Sequence, residues 1–266
     1  MKMNESLHAF DFERHFDDLA AREWFEQNWG ASLVLSGVYV LVIFLGRVYM
    51  KDREKLDLRK PLVLWSLSLA TFSVMGAMRT GWYMFSVLRS RGLRVSVCDT
   101  GFFSAPVSKF WAFVFTLSKA PELGDTVFIV LRKQRLIFLH WYHHITVLLY
   151  TWYTYKDRVA GGGWFMTMNY IVHAFMYSYY TAKAAGARVP RLCAMMVTLM
   201  QITQMFIGLT IVGLLYLWNH DTLCFSTKSN IICASLMYLS YLLLFSVFFY
   251  QSYFRRSGEQ KSVKRE

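Results

Sequence analysis

Seven apolar stretches, each about as long as a membrane-crossing helix, constrain the fold of this 266-residue chain more than any other feature. Charged or turn residues separate the stretches. They cover residues 31–50, 61–88, 109–131, 136–155, 164–183, 192–217 and 230–254. The composition, 55% hydrophobic and 18% aromatic with four prolines, is that of a membrane protein. We therefore predict an all-α polytopic membrane protein, with seven transmembrane helices in a single domain covering residues 1–266.

The distribution of Lys and Arg predicts the orientation of the chain. The connections on one side, with the tail 255–266, carry 16 of these residues, and the N-terminal segment with the other connections carries nine. The richer side is expected to be cytosolic, which makes the N-terminus lumenal and the C-terminus cytosolic. The net charge of +12 then reflects orientation, anionic lipid headgroups and an anionic substrate. The sequence contains no segment of interleaved basic and aromatic residues that would indicate nucleic acid as a partner.

Two features on the predicted lumenal side fit this orientation. Asn4, in the sequence Asn-Glu-Ser, is a candidate glycosylation site. Cys98 and Cys224 fall in lumenal connections, where a disulfide is permitted, although two unpaired surface thiols remain the alternative. Cys193 and Cys233 lie at or inside the spans and are expected to be packed thiols.

Polar side chains lie at a similar depth in four of the predicted helices. Counted from the cytosolic helix ends at 1.5 Å per residue, most of them lie roughly 9 to 18 Å inside the membrane boundary. Within each helix they are three or four residues apart and share a face. Ionisable groups at this depth indicate a functional site, although any one of them alone is explained as well by an interhelical hydrogen bond. The set is Lys119, Glu122, Asp125, His140, His143, His144, His173, Gln201 and Gln204.

Histidines in such a layer suit nucleophilic, acid–base or metal chemistry. Of the seven histidines, His8, His15 and His220 lie outside the layer. The remaining four do not form the several clusters that diiron oxygen chemistry uses, so we expect no metal and favour chemistry on an acyl group. A metal-dependent membrane hydroxylase, a seven-span receptor and a transporter remain open alternatives.

Four ordered motifs resemble those of the very-long-chain fatty acid elongases. They are Lys119-Ala-Pro-Glu122-Leu-Gly-Asp125-Thr126, His140-Trp-Tyr-His143-His144, Asn169 with His173-Ala-Phe-Met-Tyr177, and Gln201-Ile-Thr-Gln204. The stretches RKPLVLWSL, VSKFWAF and YKDRVAGGGWFMTMNY resemble the vertebrate member that elongates palmitate-length saturated and monounsaturated chains.

The resemblance implies an enzyme of the endoplasmic reticulum membrane, a very-long-chain 3-oxoacyl-CoA synthase. Such an acyltransferase condenses acyl-CoA with malonyl-CoA and releases CO2 and CoA. It implies that the last six helices form a barrel around a tunnel that opens to the cytosol. It also implies no cofactor beyond the two substrates. The reductase, dehydratase and enoyl reductase of the elongation cycle are expected partners, and a homo-oligomer remains open.

The resemblance also implies roles for the polar residues. His143 is the expected nucleophile that forms an acyl-imidazole, and His173 is expected to assist decarboxylation or hold the enolate oxygen. General base catalysis without an acyl-enzyme is the alternative. His140 and His144 are expected to orient His143 or move protons. The supporting residues are Lys119, Glu122 and Asp125, which are expected to fix the polar floor, and Asn169, Tyr177, Gln201 and Gln204, which are expected to donate hydrogen bonds to substrate.

The phosphates of CoA are expected to bind basic residues on the cytosolic side. Arg132, Lys133 and Arg135 precede the histidine helix and are the first candidates. Lys183, Arg188 and Arg191 form a second group. The alternative is that these residues serve orientation alone.

Overall fold

The computed structural model describes residues 8–220, 224 and 226–255, so Asn4 and most of the tail lie outside the described residues. In this part of the chain all regular structure is helical, which confirms the predicted all-α class. The α-helices described are α1 Asp11–Arg14, α2 Asp18–Asn28, α3 Ala31–Met50, α4 Arg59–Cys98, α5 Ser108–Ser118, α6 Gly124–Leu131, α7 Phe138–Tyr155, α8 Gly162–Ala185, α9 Arg191–Trp218 and α10 Lys228–Tyr250.

Among the residues that the structure describes, four helical segments are long and apolar enough to cross a membrane: Ala31–Met50, Arg59–Cys98, Arg191–Trp218 and Lys228–Phe254. Large apolar side chains are exposed along them, and Val34, Val48 and Leu236 are each more than half exposed. An apolar surface of this extent is expected to contact lipid or another protein rather than water. These helices are consistent with a multi-pass membrane protein.

The third predicted span, 109–131, is wrong as a continuous helix. α5 ends at Ser118, a 3-10 turn covers Pro121–Leu123, and α6 begins at Gly124. Pro121 has no backbone N–H and cannot continue the hydrogen-bond ladder of α5. The break places Lys119 and Glu122 at the junction of two short helices.

The second predicted span, 61–88, is longer in the structure than in the prediction. α4 runs to Cys98, with a break at Gly92, where φ is 80°. Such a positive φ is readily adopted by glycine, which has no Cβ. The segment expected to be a connection after residue 88 is therefore partly helical.

The long helices pack closely enough to enclose a site. α4 lies along α8, and α9 lies along α10. At Gly76 of α4, a Cβ atom would overlap the ring of Tyr170 on α8, so glycine permits this approach. Helices α5 to α10 supply most of the residues that line two connected cavities.

Candidate functional site

α7 places three histidines on one face. The ring centroids of His140 and His144 are 4.5 Å apart, and those of His143 and His144 are 5.7 Å apart. The Thr126 hydroxyl of α6 lies 2.9 Å from Nε2 of His140. Nδ1 of His144 is buried without a hydrogen-bond partner in the described part of the chain. The spacing of three and four residues accounts for this grouping, and all three rings line one cavity.

A buried network connects the turn after α5 to His173 of α8. Nζ of Lys119 lies 2.7 Å from Oε1 of Glu122 and donates to Oδ1 of Asn169 at 3.1 Å. Oε1 of Glu122 also accepts from the Ser118 hydroxyl at 2.9 Å. Nδ2 of Asn169 lies 3.1 Å from Nε2 of His173. Four of the predicted site residues therefore form one connected group.

The network assigns the tautomer of His173. Because Lys119 is a donor only, the side chain of Asn169 directs its oxygen toward Lys119 and its NH2 group toward His173. Nε2 of His173 is then an acceptor, and the proton lies on Nδ1, which is 3.9 Å from Oε2 of Glu122. That carboxylate oxygen has no hydrogen-bond partner among the described residues, so it is free to orient the ring.

Asp125 is held from two sides. Its Oδ1 accepts from Nε1 of Trp65 on α4 at 2.6 Å, and its Oδ2 accepts from the Tyr177 hydroxyl on α8 at 2.7 Å. The carboxylate thereby ties α4 and α8 to α6. Trp65 was not expected at the site, because a Trp near the end of an apolar span usually indicates an interfacial anchor.

A cavity of about 500 Å³ receives the histidines and most of the other predicted polar residues. His173, Gln201 and Gln204 line it together with the α7 histidines. Nε2 of Gln201 lies 3.3 Å from the sulfur of Met176, and Gln204 is buried. We refer to this cavity as the wide cavity. Lys119 and Glu122 do not line it, but they contact Asn169 and His173, which do.

A second, narrow cavity of about 50 Å³ adjoins the wide one. His143, Asn169, Gln204 and Met205 line both cavities, so these residues mark the junction. Beyond the junction the lining is mainly apolar and aromatic and includes residues near the far end of α7, such as Tyr155. At His143, a cavity with many polar side chains therefore adjoins a mainly apolar one.

Two of the six basic candidates line the wide cavity, namely Lys183 and Arg191. Lys183 lies near the end of α8, and Arg191 begins α9 and donates to the backbone oxygen of Ser252 at 3.0 Å. The structure does not bring the remaining candidates, Arg132, Lys133, Arg135 and Arg188, to this cavity. Lys133 instead donates to the backbone oxygens of Lys51 and Arg53 at 2.9 and 2.8 Å.

Two tyrosines that sequence reasoning missed contact the histidines. The ring of Tyr241 on α10 lies 4.8 Å from that of His143, and its hydroxyl donates to the His143 backbone oxygen at 3.3 Å. The Tyr39 hydroxyl on α3 lies 2.5 Å from Thr126, which contacts His140. Tyrosines are frequent in this chain, so their sequence positions give no signal of this role.

Cys98 and Cys224 form a disulfide bond that connects the end of α4 to the segment between α9 and α10. Cys193 and Cys233 are free, but both are exposed, so the expectation that they are packed thiols is wrong.

The arrangement suits a substrate with a polar head and a long apolar tail. Its tail would occupy the narrow cavity and its head the wide one, which places the bond between them at His143. An imidazole at that junction can attack or deprotonate the substrate there. In the described part of the chain, no group of three or more His, Cys, Asp or Glu side chains is arranged to hold a metal ion.

Comparison with known proteins identifies the family. The sequence model of the ELO family, described as GNS1/SUR4, matches residues 24–261. The chain is 58% identical over 261 residues to the human protein named very long chain fatty acid elongase 6, covering 98% of both chains. It is 60% identical over 250 residues to the rat protein of that name, covering 93% of this chain and 94% of that protein. It is 44% identical over 261 residues to human very long chain fatty acid elongase 3, covering 98% of this chain and 96% of that protein. The chain therefore belongs to the ELO family.

Proposed function

We propose that this protein is a condensing enzyme of fatty acid elongation, a very-long-chain 3-oxoacyl-CoA synthase. It joins a long-chain acyl-CoA to malonyl-CoA and yields CO2, CoA and a 3-oxoacyl-CoA two carbons longer. The position of His143, where the wide polar cavity meets the narrow apolar one, carries the proposal. The names of the related elongases and the family match support it.

In the first step, a nitrogen of His143 attacks the thioester carbonyl. The C–S bond breaks, and the imidazole proton passes to the departing thiolate. CoA is released, and an acyl-imidazole remains on His143. The ring of His144 faces that of His143, and the ring of His140 adjoins that of His144, so these two histidines provide a route for that proton. The apolar lining of the narrow cavity limits the water that would hydrolyse the intermediate.

In the second step, malonyl-CoA occupies the wide cavity and loses CO2. The electron pair of the broken C–C bond forms an enolate, which attacks the acyl carbon. The C–N bond to His143 breaks, and the departing nitrogen takes up one proton from water, which restores the neutral imidazole. In this proposal His173 stabilises the enolate oxygen through its Nδ1 proton, since Nδ1 lies 3.9 Å from Oε2 of Glu122, beyond hydrogen-bond distance. The Lys119–Glu122–Asn169 network holds the ring through Nε2. Gln201 and Gln204 donate hydrogen bonds to the substrate, whereas the Tyr177 hydroxyl donates to Asp125 and supports the site from there, and no cofactor takes part. General base catalysis by the same histidines, without an acyl-enzyme, is the alternative mechanism.

The depth of the narrow cavity supports palmitate-length saturated and monounsaturated chains as substrates. His143 and Tyr155 are twelve residues apart on α7, so the channel extends about 18 Å at 1.5 Å per residue. An extended chain advances about 1.2 Å per single bond, so about 15 bonds fit. The present volume is small, and the flexible side chains of Met166, Met205 and Met237 in its wall must move aside for an acyl chain.

The membrane arrangement follows the same proposal. The four helices that are long and apolar enough to cross a membrane count as four spans. α7, α8, and α5 together with α6 supply three more, which gives seven spans, and the last six form a barrel. The protein resides in the endoplasmic reticulum membrane, with the wide cavity open to the cytosol, the N-terminus lumenal and the C-terminus cytosolic. Lys183 and Arg191 bind CoA phosphates. The other enzymes of the elongation cycle are proposed partners.

The proposal is tested with purified protein, labelled palmitoyl-CoA and malonyl-CoA. We expect a labelled product two carbons longer, and we expect His143→Ala to lower the rate by at least about a thousandfold because it removes the nucleophile. His15→Ala is the matched control, since the exposed His15 lies outside both cavities. No elongation by the wild type, or wild-type elongation by His143→Ala, would overturn the proposal.

A further inference from the structure

The N-terminal cap, which we define as residues 8–29, is fixed against the end of α7 farthest from the histidines. Nε of Arg22 donates to the backbone oxygen of Lys156 at 2.8 Å, just after α7 ends. An Arg158 nitrogen lies 2.7 Å from Oδ2 of Asp18, the first residue of α2. Both contacts join residues more than 130 positions apart in the chain. The cap is therefore a specifically docked element.

A buried charge pair fixes the beginning of the cap. Glu13 is fully buried and accepts hydrogen bonds from Arg79 of α4, including one of 2.8 Å, and from Nε1 of Trp111 on α5 at 2.7 Å. Burial alone would raise the pKa of Glu13, but these bonds and the Phe10 backbone N–H hold it below its usual value of 4.5. A buried carboxylate is costly unless it is paired in this way. The contact thus holds α1 in a defined position.

Phe25 of the cap lies behind the end of the narrow cavity. Its side chain is fully buried, and its ring centroid is 4.6 Å from that of Tyr155. Tyr155 lines the narrow cavity, whereas Phe25 does not. The rings of Trp152 and Phe113 surround Phe25 at 5.4 and 6.2 Å. Because the interior is close-packed, Tyr155 cannot move away from the cavity while Phe25 occupies this space.

The anchors of the cap precede the part of the chain that the ELO family model matches. That match begins at residue 24, whereas Glu13, Asp18 and Arg22 come before it. These contacts therefore lie outside the segment that the family model covers.

We infer that the N-terminal cap sets the length of the longest acyl chain the enzyme accepts, with Phe25 as a positioning residue that fixes Tyr155 as the end wall. The inference rests on the proposed function, because it concerns the acyl chain in the same channel. An acyl chain that reaches Tyr155 meets a wall supported from outside the barrel. Removing the support allows Tyr155 to retreat and a longer chain to enter.

The test compares elongation of stearoyl-CoA and palmitoyl-CoA within each variant. Phe25→Ala is expected to raise the ratio of stearoyl to palmitoyl elongation about tenfold, as two further methylene groups become buried in the channel. Trp24→Ala is the matched control. Trp24 is the neighbouring aromatic residue, is 44% exposed, and contacts Phe25 and Trp152 rather than Tyr155. Its ratio is expected to stay within about twofold of the wild-type ratio, since it does not support the wall.

A simple loss of stability lowers both rates together and leaves the ratio unchanged, so the ratio separates the two roles. The milder Phe25→Leu serves if Phe25→Ala does not fold, and we expect a smaller shift in the same direction. An unchanged ratio in a folded, active Phe25 variant overturns this inference alone. Absence of elongation by the wild type overturns the proposed function, and this inference with it.

Discussion

Replacing Glu122 by Gln removes the negative charge from the buried pair that supports His173. Lys119 and Glu122 are each 2% exposed, and the atoms of the pair are 2.7 Å apart. Gln leaves the Lys119 ammonium buried without a compensating charge, which costs about 3–5 kcal/mol. For a chain of this size that lowers the melting temperature by about 6–20 °C. Lys119→Met leaves the opposite charge unpaired and is expected to cost a similar amount.

The double variant Lys119→Met/Glu122→Met tests the reasoning more sharply. It leaves no unpaired charge, and apolar side chains of similar volume often replace a buried pair at little cost. We expect it to melt at a higher temperature than either single variant. It should nevertheless be inactive, because Asn169 and His173 lose the groups that orient them. The double variant is then expected to regain stability without regaining activity.

The assay is thermal unfolding in detergent, followed by elongation of palmitoyl-CoA below the melting temperature of each variant. Melting temperatures of the single variants within about 3 °C of the wild type would refute the reasoning, since about 1 kcal/mol is too small for a broken buried pair. A double variant whose loss equals the sum of the single losses would refute it as well. Full activity in the double variant would show that the pair does not position His173.

Three further predictions concern the rest of the chain. Cys98→Ala/Cys224→Ala is expected to lower the melting temperature, because the disulfide joins residues separated by 126 positions. In the chain-entropy account such a disulfide stabilises the protein by at most about 5 kcal/mol. An unchanged melting temperature under non-reducing conditions would contradict this. Since the folded-state pKa of Glu13 lies below its usual value, its pairing stabilises the protein above about pH 4.5 and that contribution is lost as the pH falls through the folded-state pKa. Glu13→Gln should therefore melt well below the wild type at pH 7 and approach it in acid, and a gap that stays constant from pH 7 to about pH 3 would argue against the pair. Arg191→Gln is expected to raise the KM for acyl-CoA about tenfold with little change in kcat, whereas Arg188→Gln, outside the wide cavity, should not; equal KM values for the two variants would remove Arg191 from the phosphate site.

Hydropathy and helix geometry predict much of this molecule. Apolar length locates α3 to its first and last residues and α9 to within one residue at either end. Because a helix rises by a constant distance per residue, counting residues from the cytosolic helix ends predicts that His143, His173 and Gln204 lie at a similar depth. In the structure all three line one cavity. The break at Pro121 is the main departure, because the apolar average over 109–131 conceals a residue that ends a helix.

Contacts between distant segments could not be predicted in this way. Trp65 reaches Asp125 across 60 positions, and Phe25 reaches the end of α7 from the N-terminal segment. Neither position differs in type from the many aromatic residues that face lipid or fill the core. The same holds for the basic residues expected to bind CoA. Arg135 is close to the histidine helix in sequence, yet it does not line the wide cavity. One local signal for the cap is Asp17, whose side chain accepts from two backbone N–H groups at the start of α2 and marks a helix where hydropathy shows none.

The intact mass of the protein after incubation with palmitoyl-CoA alone tests the proposed chemistry most directly. With His143 as the nucleophile at the junction of the two cavities, the wild-type mass increases by one acyl group, and the added mass disappears when malonyl-CoA is supplied. His143→Ala shows no increase. An unchanged mass in a wild-type preparation that still elongates palmitoyl-CoA contradicts the covalent mechanism and leaves the histidines as general bases.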